Sequence, residues 1–324
     1  METQEDSDEI EFEILPEDVI SFKRLDLYLA AKCTHLSRSV IKKIFEAGGI
    51  TSSVKLELKK MPKAGTILNL KIPPPVPSKA IPENIPLSIV FEDEYFIVIN
   101  KPAGMVTHPG AGNYTGTLVN AILYHYPKLQ ESSLNNRPGI AHRLDKGTTG
   151  LIVVAKSQKS LEELVTMFAA RKIDKTYHAL VMGTNLPAAG IIKSTIGRHP
   201  TNRLKMAANV SGRDAITHYK VLESFKKISY LQIKLETGRT HQIRVHLSQI
   251  LRHPILCDPL YGNPSENLTR LGPKFKELIG DYPFPFLHAK TLSFDHPFTG
   301  EKMHFDVDPP KIFLDILKLA REDK

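Results

Sequence analysis

Apolar positions change their spacing several times along this chain, and each change marks an element. Ile10, Phe12 and Ile14 alternate with acidic neighbours as a strand would, but residues 1–20 as a whole read as an acidic, flexible tail. From Arg24 to Ala30 apolar residues recur at helical spacing. A second helix is predicted after Ser37, a suitable N-cap, with Val40, Ile41 and Ile44 on its buried side and Arg38, Lys42 and Lys43 on the other. Gly48-Gly49 ends it, and short strand-like pieces run to Lys71-Ile72.

Prolines 73, 74, 75, 77, 82 and 86 then exclude a regular helix or central strand, so 77–86 is read as an interdomain linker between a small unit, 21–76, and a large one, 87–324. In the large unit the spacing predicts strands over 88–91, 95–99, 151–155, 176–182, 215–223 and 228–236. Helices are predicted over 115–126, with Leu118, Val119, Ile122 and Tyr126 on one side, and after Ser157, with Leu161, Leu164, Val165 and Phe168 on one face. A further helix over 241–250, capped by Thr240, would bury Ile243, Leu247 and Ile250. Together these make one α/β domain with a mixed sheet.

Composition narrows the function classes. At 324 residues with 41% apolar side chains, the chain can bury a sizeable core. No run approaches the roughly 18 apolar residues of a membrane span, and the acidic start lacks the features of a signal peptide. The expected setting is the cytoplasm, without a membrane partner. Cys33 and Cys257 fit neither a zinc set nor a disulfide framework, so reduced, buried thiols are expected. Nine of the 35 acidic side chains fall in residues 1–20 with no Lys or Arg, so residues 21–324 carry 43 basic against 26 acidic groups, a net of +17. That balance suggests a polyanionic partner.

The most informative stretch is Arg137-Pro-Gly-Ile-Ala-His-Arg-Leu-Asp145-Lys-Gly-Thr-Thr-Gly, running directly into Leu-Ile-Val-Val-Ala-Lys156. A Gly/Pro-framed loop ahead of a buried strand can hold one carboxylate rigidly at a cleft. The segment resembles the His-Arg-Leu-Asp motif of the RluA/RluD family of RNA pseudouridine synthases. Val98-Ile-Asn-Lys-Pro-Ala-Gly-Met-Val-Thr-His-Pro-Gly110 resembles the family's first motif, given a supporting role here. Lys175-Thr-Tyr-His-Ala-Leu180, Glu236-Thr-Gly-Arg-Thr-His-Gln-Ile-Arg-Val-His-Leu247 and Leu287-His-Ala289 with Leu292-Ser-Phe-Asp-His-Pro297 match later motifs. The resemblance covers residues 21–310 and is strongest to the RluD type. Two positions depart from it: Gly147 stands where an acidic residue is common, and Cys257 replaces a glycine before Asp258-Pro-Leu-Tyr-Gly262.

The resemblance implies a pseudouridine synthase fold of α+β type, with a mixed, largely antiparallel sheet flanked by helices. It implies Asp145, Tyr177 and Arg244 as catalytic residues, with Arg143, Leu287, His142 and Arg239 on the substrate side. Asp145 would act ionised, adding to C1′ or removing the C2′ proton. Arg244 lies beside the buried face of its helix and needs an anionic partner; Asp145 is the expected one. Tyr177 would stack on the uracil, and Arg143 would fill the space of the everted nucleotide or grip its phosphate. Leu287 would close an apolar floor. No metal and no cofactor is expected.

Arg24-Leu-Asp26, Leu36-Ser-Arg-Ser39, Ile41-Lys-Lys43 and Lys63-Ala-Gly65 resemble an S4 RNA-binding domain, which would place Arg24, Ser37, Arg38, Lys42 and Lys43 on RNA. The usual Val-x-Val-Asn-Gly turn is replaced by Ile50-Thr-Ser-Ser-Val54. The expected partner is large-subunit ribosomal RNA or a pre-ribosomal particle, met by a monomer. Alternatives are a transfer RNA substrate, or a non-catalytic ribosome-assembly factor on the same fold. A metallohydrolase reading of His241 and His246 is weak, because five-residue spacing puts them on different helix faces. Neither Gly110-Ala-Gly112 nor Lys146-Gly-Thr-Thr149 has the register of a phosphate-binding loop.

Overall fold

The computed structural model describes residues 8–33, 36–72, 80–110, 112–129 and 138–323. Residues 1–7, most of the proline run and Arg137 lie outside that set. The chain divides into two compact units, Met1–Ser78 and Lys79–Lys324.

In the first unit, strands β1 (Asp8–Glu13), β2 (Ile50–Ser52) and β3 (Ile67–Ile72) form a sheet in the order β1-β3-β2. The flexible-tail expectation therefore fails from residue 8 onward. Glu9, Glu11 and Glu13 sit on a strand paired antiparallel to β3, and the alternation of Ile10, Phe12 and Ile14 outweighs the acidic composition. Ile14, Leu25, Tyr28, Leu29, Ile41, Ile44, Leu68 and Leu70 make the core. Helix Arg38–Glu46 begins as predicted, with the Ser37 hydroxyl accepting from the Val40 amide. Val40 is a correction: it is 37% exposed, because one turn presents only Ile41 and Ile44 inward.

The second unit is built on a ten-stranded sheet. Its strands are β4 (Ile89–Glu92), β5 (Phe96–Lys101), β6 (Thr149–Ala155), β7 (Asp174–Met182), β8 (Ala189–Arg198), β9 (Met206–Ala208), β10 (Arg213–Ser224), β11 (Ile228–Leu235), β12 (Leu287–Asp295) and β13 (Lys302–Asp306). The order is β4-β5-β6-β12-β7-β11-β10-β8-β9, with β13 on β12. Among the described residues only β6 and β12 pair in parallel, through His288–Thr149 and Ala289–Gly150. A Cβ at Gly150 would meet the Ala289 carbonyl oxygen at 2.3 Å, and its φ is +104°, so this close approach requires glycine.

Strand β6 is buried along its whole length. Ile152 and Val154 face one core, with Ile97, Ile99 and Leu118. Leu151, Val153 and Ala155 face the other, with Phe96, Val98 and Leu164. A strand covered on both faces reads as an unbroken apolar run, which is why 151–155 stands out in the sequence. Each fully buried side chain here contributes roughly 1.5–3 kcal/mol. Along β12, which carries a register shift between Ala289 and Thr291, Leu287 and Ala289 join the first core while Leu292 and Phe294 join the second.

Helices Leu118–His125 and Gln158–Ala169 form with Thr117 and Ser157 as their caps. Val165, expected in the core, is 50% exposed; Ser160 and Met167 are buried instead. Strands β8, β9, β12 and β13 and helices Pro264–Leu271, Pro273–Ile279 and Lys311–Glu322 were not predicted from the spacing. Strand β8 illustrates the reason: it mixes exposed Ile191 with buried Ile192 and Ile196, and no simple period survives.

Candidate active site

The loop before β6 is fixed by satisfying a strand edge. Strand β12 pairs only with the first two residues of β6, Thr149 and Gly150, which leaves later β6 amides without a ladder partner. Gly139 O accepts from the Ala155 amide at 2.9 Å, and His142 Nε2 accepts from the Val153 amide at 3.1 Å. His142 is therefore committed to holding the loop, with its ring 4.6 Å from that of Phe168. Burial, with nearby Lys175, holds its pKa well below the ordinary histidine value.

A second loop clamps this one. The Thr107 hydroxyl donates to Leu144 O at 2.8 Å and accepts from the Leu144 amide at 3.2 Å. The Gly104 amide donates to Lys146 O, and the Thr148 amide closes a turn on Asp145 O. Fully buried Lys101 shapes the clamp from within, its Nζ donating to Pro102 O at 2.8 Å and Met105 O at 2.9 Å. Burial lowers its pKa to about 7, against the opposing pull of Asp145. Gly147 is explained by the same crowding, since a Cβ there would meet Pro285 Cδ at 2.6 Å.

Asp145 thus sits on a rigid corner, and its side chain is 15% exposed to a cleft of about 1100 Å³. Tyr177 of β7, Leu287 of β12, Ile243, Arg244 and His241 line that cleft with it. Tyr177 and Leu287 are brought side by side because β7 and β12 are neighbours, with Ala179 opposite Leu287. Both are about 95% buried. Burial, and then the Asp145 charge, push the Tyr177 hydroxyl well above its ordinary pKa, so it is a neutral phenol.

Arg244 is placed by the short helix Gln242–Val245. The sequence expectation needs correcting at its first turn. Thr240 does not cap it: the N-cap position is His241, without a side-chain cap bond, and the buried Gln242 side chain braces the preceding turn, accepting from the Arg239 amide at 3.0 Å and the Thr237 hydroxyl at 2.8 Å. The next turn, His246–Ile250, widens to a π-helix, and Ile250 is only partly buried. His246 turns away to the Thr217 and Ser194 hydroxyls, while His241 faces Asp145.

The main partner of Arg244 is not Asp145. Its Nε and Nη2 each donate at 2.7 Å to the carboxylate of Asp258, which is fully buried, while its Nη1 lies 3.6 Å from Asp145 Oδ2. Burial disfavours the guanidinium charge, but Asp258, and then Asp145, carry its pKa above the ordinary value. Asp258 is held in turn by the Leu260 and Tyr261 amides. Cys257 before it adopts φ +60°, the left-handed conformation that suits the glycine common at this position.

Asp258 and Tyr261, which the sequence reading passed over, and His241, weighed there only as a metal ligand, join the candidate site. Asp258 and Tyr261 stand in the string noted only for Cys257, and their signal was a carboxylate and a phenol beside a Gly-like turn. Arg143 is exposed at the cleft mouth. Arg239 also lines the cleft, with its Nε donating to Asp214 O at 3.0 Å. In the first unit, Arg24 and Arg38 both bind buried Asp26, Lys42 lies 3.5 Å from Glu46, and Lys43 is exposed.

The sequence profile of a family described as RNA pseudouridylate synthase matches residues 95–249. The ribosomal large subunit pseudouridine synthase D of Pseudomonas aeruginosa is 40% identical over 303 residues, covering 93% of each chain. An uncharacterized RNA pseudouridine synthase of Aquifex aeolicus is 39% identical over 321 residues, 98% of each. Among solved structures, human RNA pseudouridylate synthase domain containing 4 aligns with a TM-score of 0.54 and 28% identity, covering 72% of this chain and 93% of that one. With the strand order, the cleft and these relatives in hand, the chain belongs to the RluA/RluD family of RNA pseudouridine synthases.

Proposed function

We propose that the chain isomerises uridines of large-subunit ribosomal RNA to pseudouridine, with Asp145 as the reacting carboxylate. The observation that carries this reading is the convergence of Asp145, Tyr177, Leu287 and Arg244 on one cleft. Likeness to the synthase D enzymes, whose name gives the ribosomal large subunit, supports the choice of RNA.

Breaking the N1–C1′ bond and rejoining C5 to C1′ needs an anionic group at the sugar and a wall that keeps the free uracil in place. Asp145 supplies the first, whether it adds to C1′ or takes the C2′ proton. Tyr177 and Leu287 supply the second, as a neutral ring and an apolar floor. Arg244, anchored by Asp258, presents one remaining N–H edge to Asp145. Arg143 at the mouth is positioned to hold the everted nucleotide or its phosphate.

The first unit reads as an S4-like RNA-binding module. Lys42 and Lys43 are exposed on its second predicted helix, and Arg24 and Arg38 are both held by Asp26. On this reading the chain works as a cytoplasmic monomer on ribosomal RNA or its precursor particle. Mapping pseudouridines in cells lacking the protein tests the assignment: loss of large-subunit sites that return with wild type but not with Asp145→Asn is expected. Loss confined to transfer RNA would redirect the substrate, and no loss at all would overturn the reading.

A further inference from the structure

Three groups that the proposed chemistry leaves unused form a chain ending at Asp145. The Met206 amide of β9 donates to the Tyr261 hydroxyl at 2.7 Å, and that hydroxyl lies 2.8 Å from His241 Nδ1. A phenol oxygen that accepts from an amide has one proton left to give. Burial pushes the Tyr261 hydroxyl up to about 12, so the proton stays in place near neutral pH. Tyr261 is therefore the donor and Nδ1 the acceptor, which puts the hydrogen of a neutral imidazole on Nε2. Nε2 is the ring atom that faces Asp145, 3.9 Å from Oδ2.

His241 reaches this place with a left-handed backbone, φ +57°, a conformation that non-glycine residues seldom adopt and that its surroundings must enforce. The charged groups around the ring come from three segments. Asp145 and Arg143 belong to the loop before β6, Arg244 to the helix, and Asp258 to the segment before Tyr261. Burial, with Arg244 and Arg143, outweighs the two carboxylates and holds the imidazole below its ordinary pKa. Tyr261 is itself pinned under the Arg244 guanidinium, 5.0 Å from its ring centroid.

We infer that His241 is a positioning residue, a neutral imidazole whose Nε2–H, fixed by Tyr261, steers the Asp145 carboxylate toward the substrate sugar. On this inference the 3.9 Å separation shortens to a hydrogen bond in the reacting complex. This inference rests on Asp145 being the reacting carboxylate.

The test is single-turnover pseudouridine formation on unmodified large-subunit RNA transcript from pH 5 to 9, with RNA affinity measured in parallel. His241→Ala is expected to slow the reaction roughly 10–100-fold, the scale of a reacting group misplaced by about 1 Å, with affinity unchanged. His241→Gln keeps an N–H near the Nε2 position and is expected to recover most of that loss. Tyr261→Phe frees Nδ1 to take a proton, and the resulting imidazolium would hold Asp145 in an ion pair away from the sugar, so its rate should fall as pH drops through the ordinary histidine range, where wild type stays level. A Gln variant as slow as the Ala variant, or a Tyr261→Phe profile superimposable on wild type, overturns the inference. Inactive wild type would instead overturn the functional reading.

Discussion

Arg244 gives two of its N–H groups to Asp258 and only its outer edge to Asp145. Both Asp258 bonds are 2.7 Å, against 3.6 Å to Asp145. A buried guanidinium with a bidentate carboxylate behind it is anchored before any substrate arrives, and its remaining N–H groups face the cleft with fixed direction. Breaking a buried pair typically costs roughly 3–5 kcal/mol. Arg244→Met should therefore destabilise the fold on that scale, and Asp258→Asn in the same chain should restore part of the loss. Double-mutant cycles in denaturant should show coupling to Asp258 well above that to Asp145; the reverse order would contradict the geometry.

On the proposed reading Asp145 carries chemistry without carrying the fold. Among the described residues no side chain hydrogen-bonds its carboxylate, and the loop is held by Thr107, Gly139 and His142. Asp145→Asn should lower turnover by more than about a thousandfold, as loss of a reacting group does, with stability and RNA affinity near wild type. Turnover within about tenfold of wild type would remove Asp145 from the mechanism.

Lys101 should leave a signature in the pH dependence of stability. Its folded pKa of about 7 lies below the unfolded value of 10.5, so between these the unfolded chain binds more protons and stability rises with pH. The burial penalty is fully present below pH 7 and is relieved toward pH 10. A neutral amine still has two N–H groups for Pro102 O and Met105 O, so the clamp survives the titration. Measured against Lys101→Met, wild-type stability should gain steadily from pH 7 to 10; a difference independent of pH would show that the amine titrates normally.

The first unit should add affinity rather than chemistry. Lys42→Ala with Lys43→Ala is expected to weaken RNA binding and to reduce the log–log salt slope by roughly 0.7–0.9 for each phosphate no longer neutralised. Single-turnover rates at saturating RNA should not change. An unaltered slope would mean that these lysines are only solvated.

Gly147 is expected to resist the acidic residue common at its position. With Pro285 Cδ 2.6 Å from where a Cβ would stand, Gly147→Asp should cost roughly 1–3 kcal/mol of overpacking and slow turnover by shifting Asp145. Unchanged melting and activity would show that Pro285 yields freely.

Much of this protein was settled by the sequence alone, where the information is local. The unbroken apolar run 151–155 comes from a strand covered on both faces, and Ser37 and Ser157 cap helices because a cap acts over three residues. The motifs around Asp145, Tyr177 and Arg244 place those side chains at strand and helix ends, and the fold brings them to one cleft. Tertiary structure decided the pairings that span long stretches of chain. The partner of Arg244 is fourteen residues away in a segment without periodicity, and β12 enters the sheet between β6 and β7 from the far end of the chain. The cap expected of Thr240 is absent, with Gln242 bracing the turn before the helix instead, and the acidic start became a strand once β3 offered it an edge. Spacing records which face an element buries; it does not record which distant group will meet that face, because that choice is made by packing and by the need to satisfy each buried charge and amide.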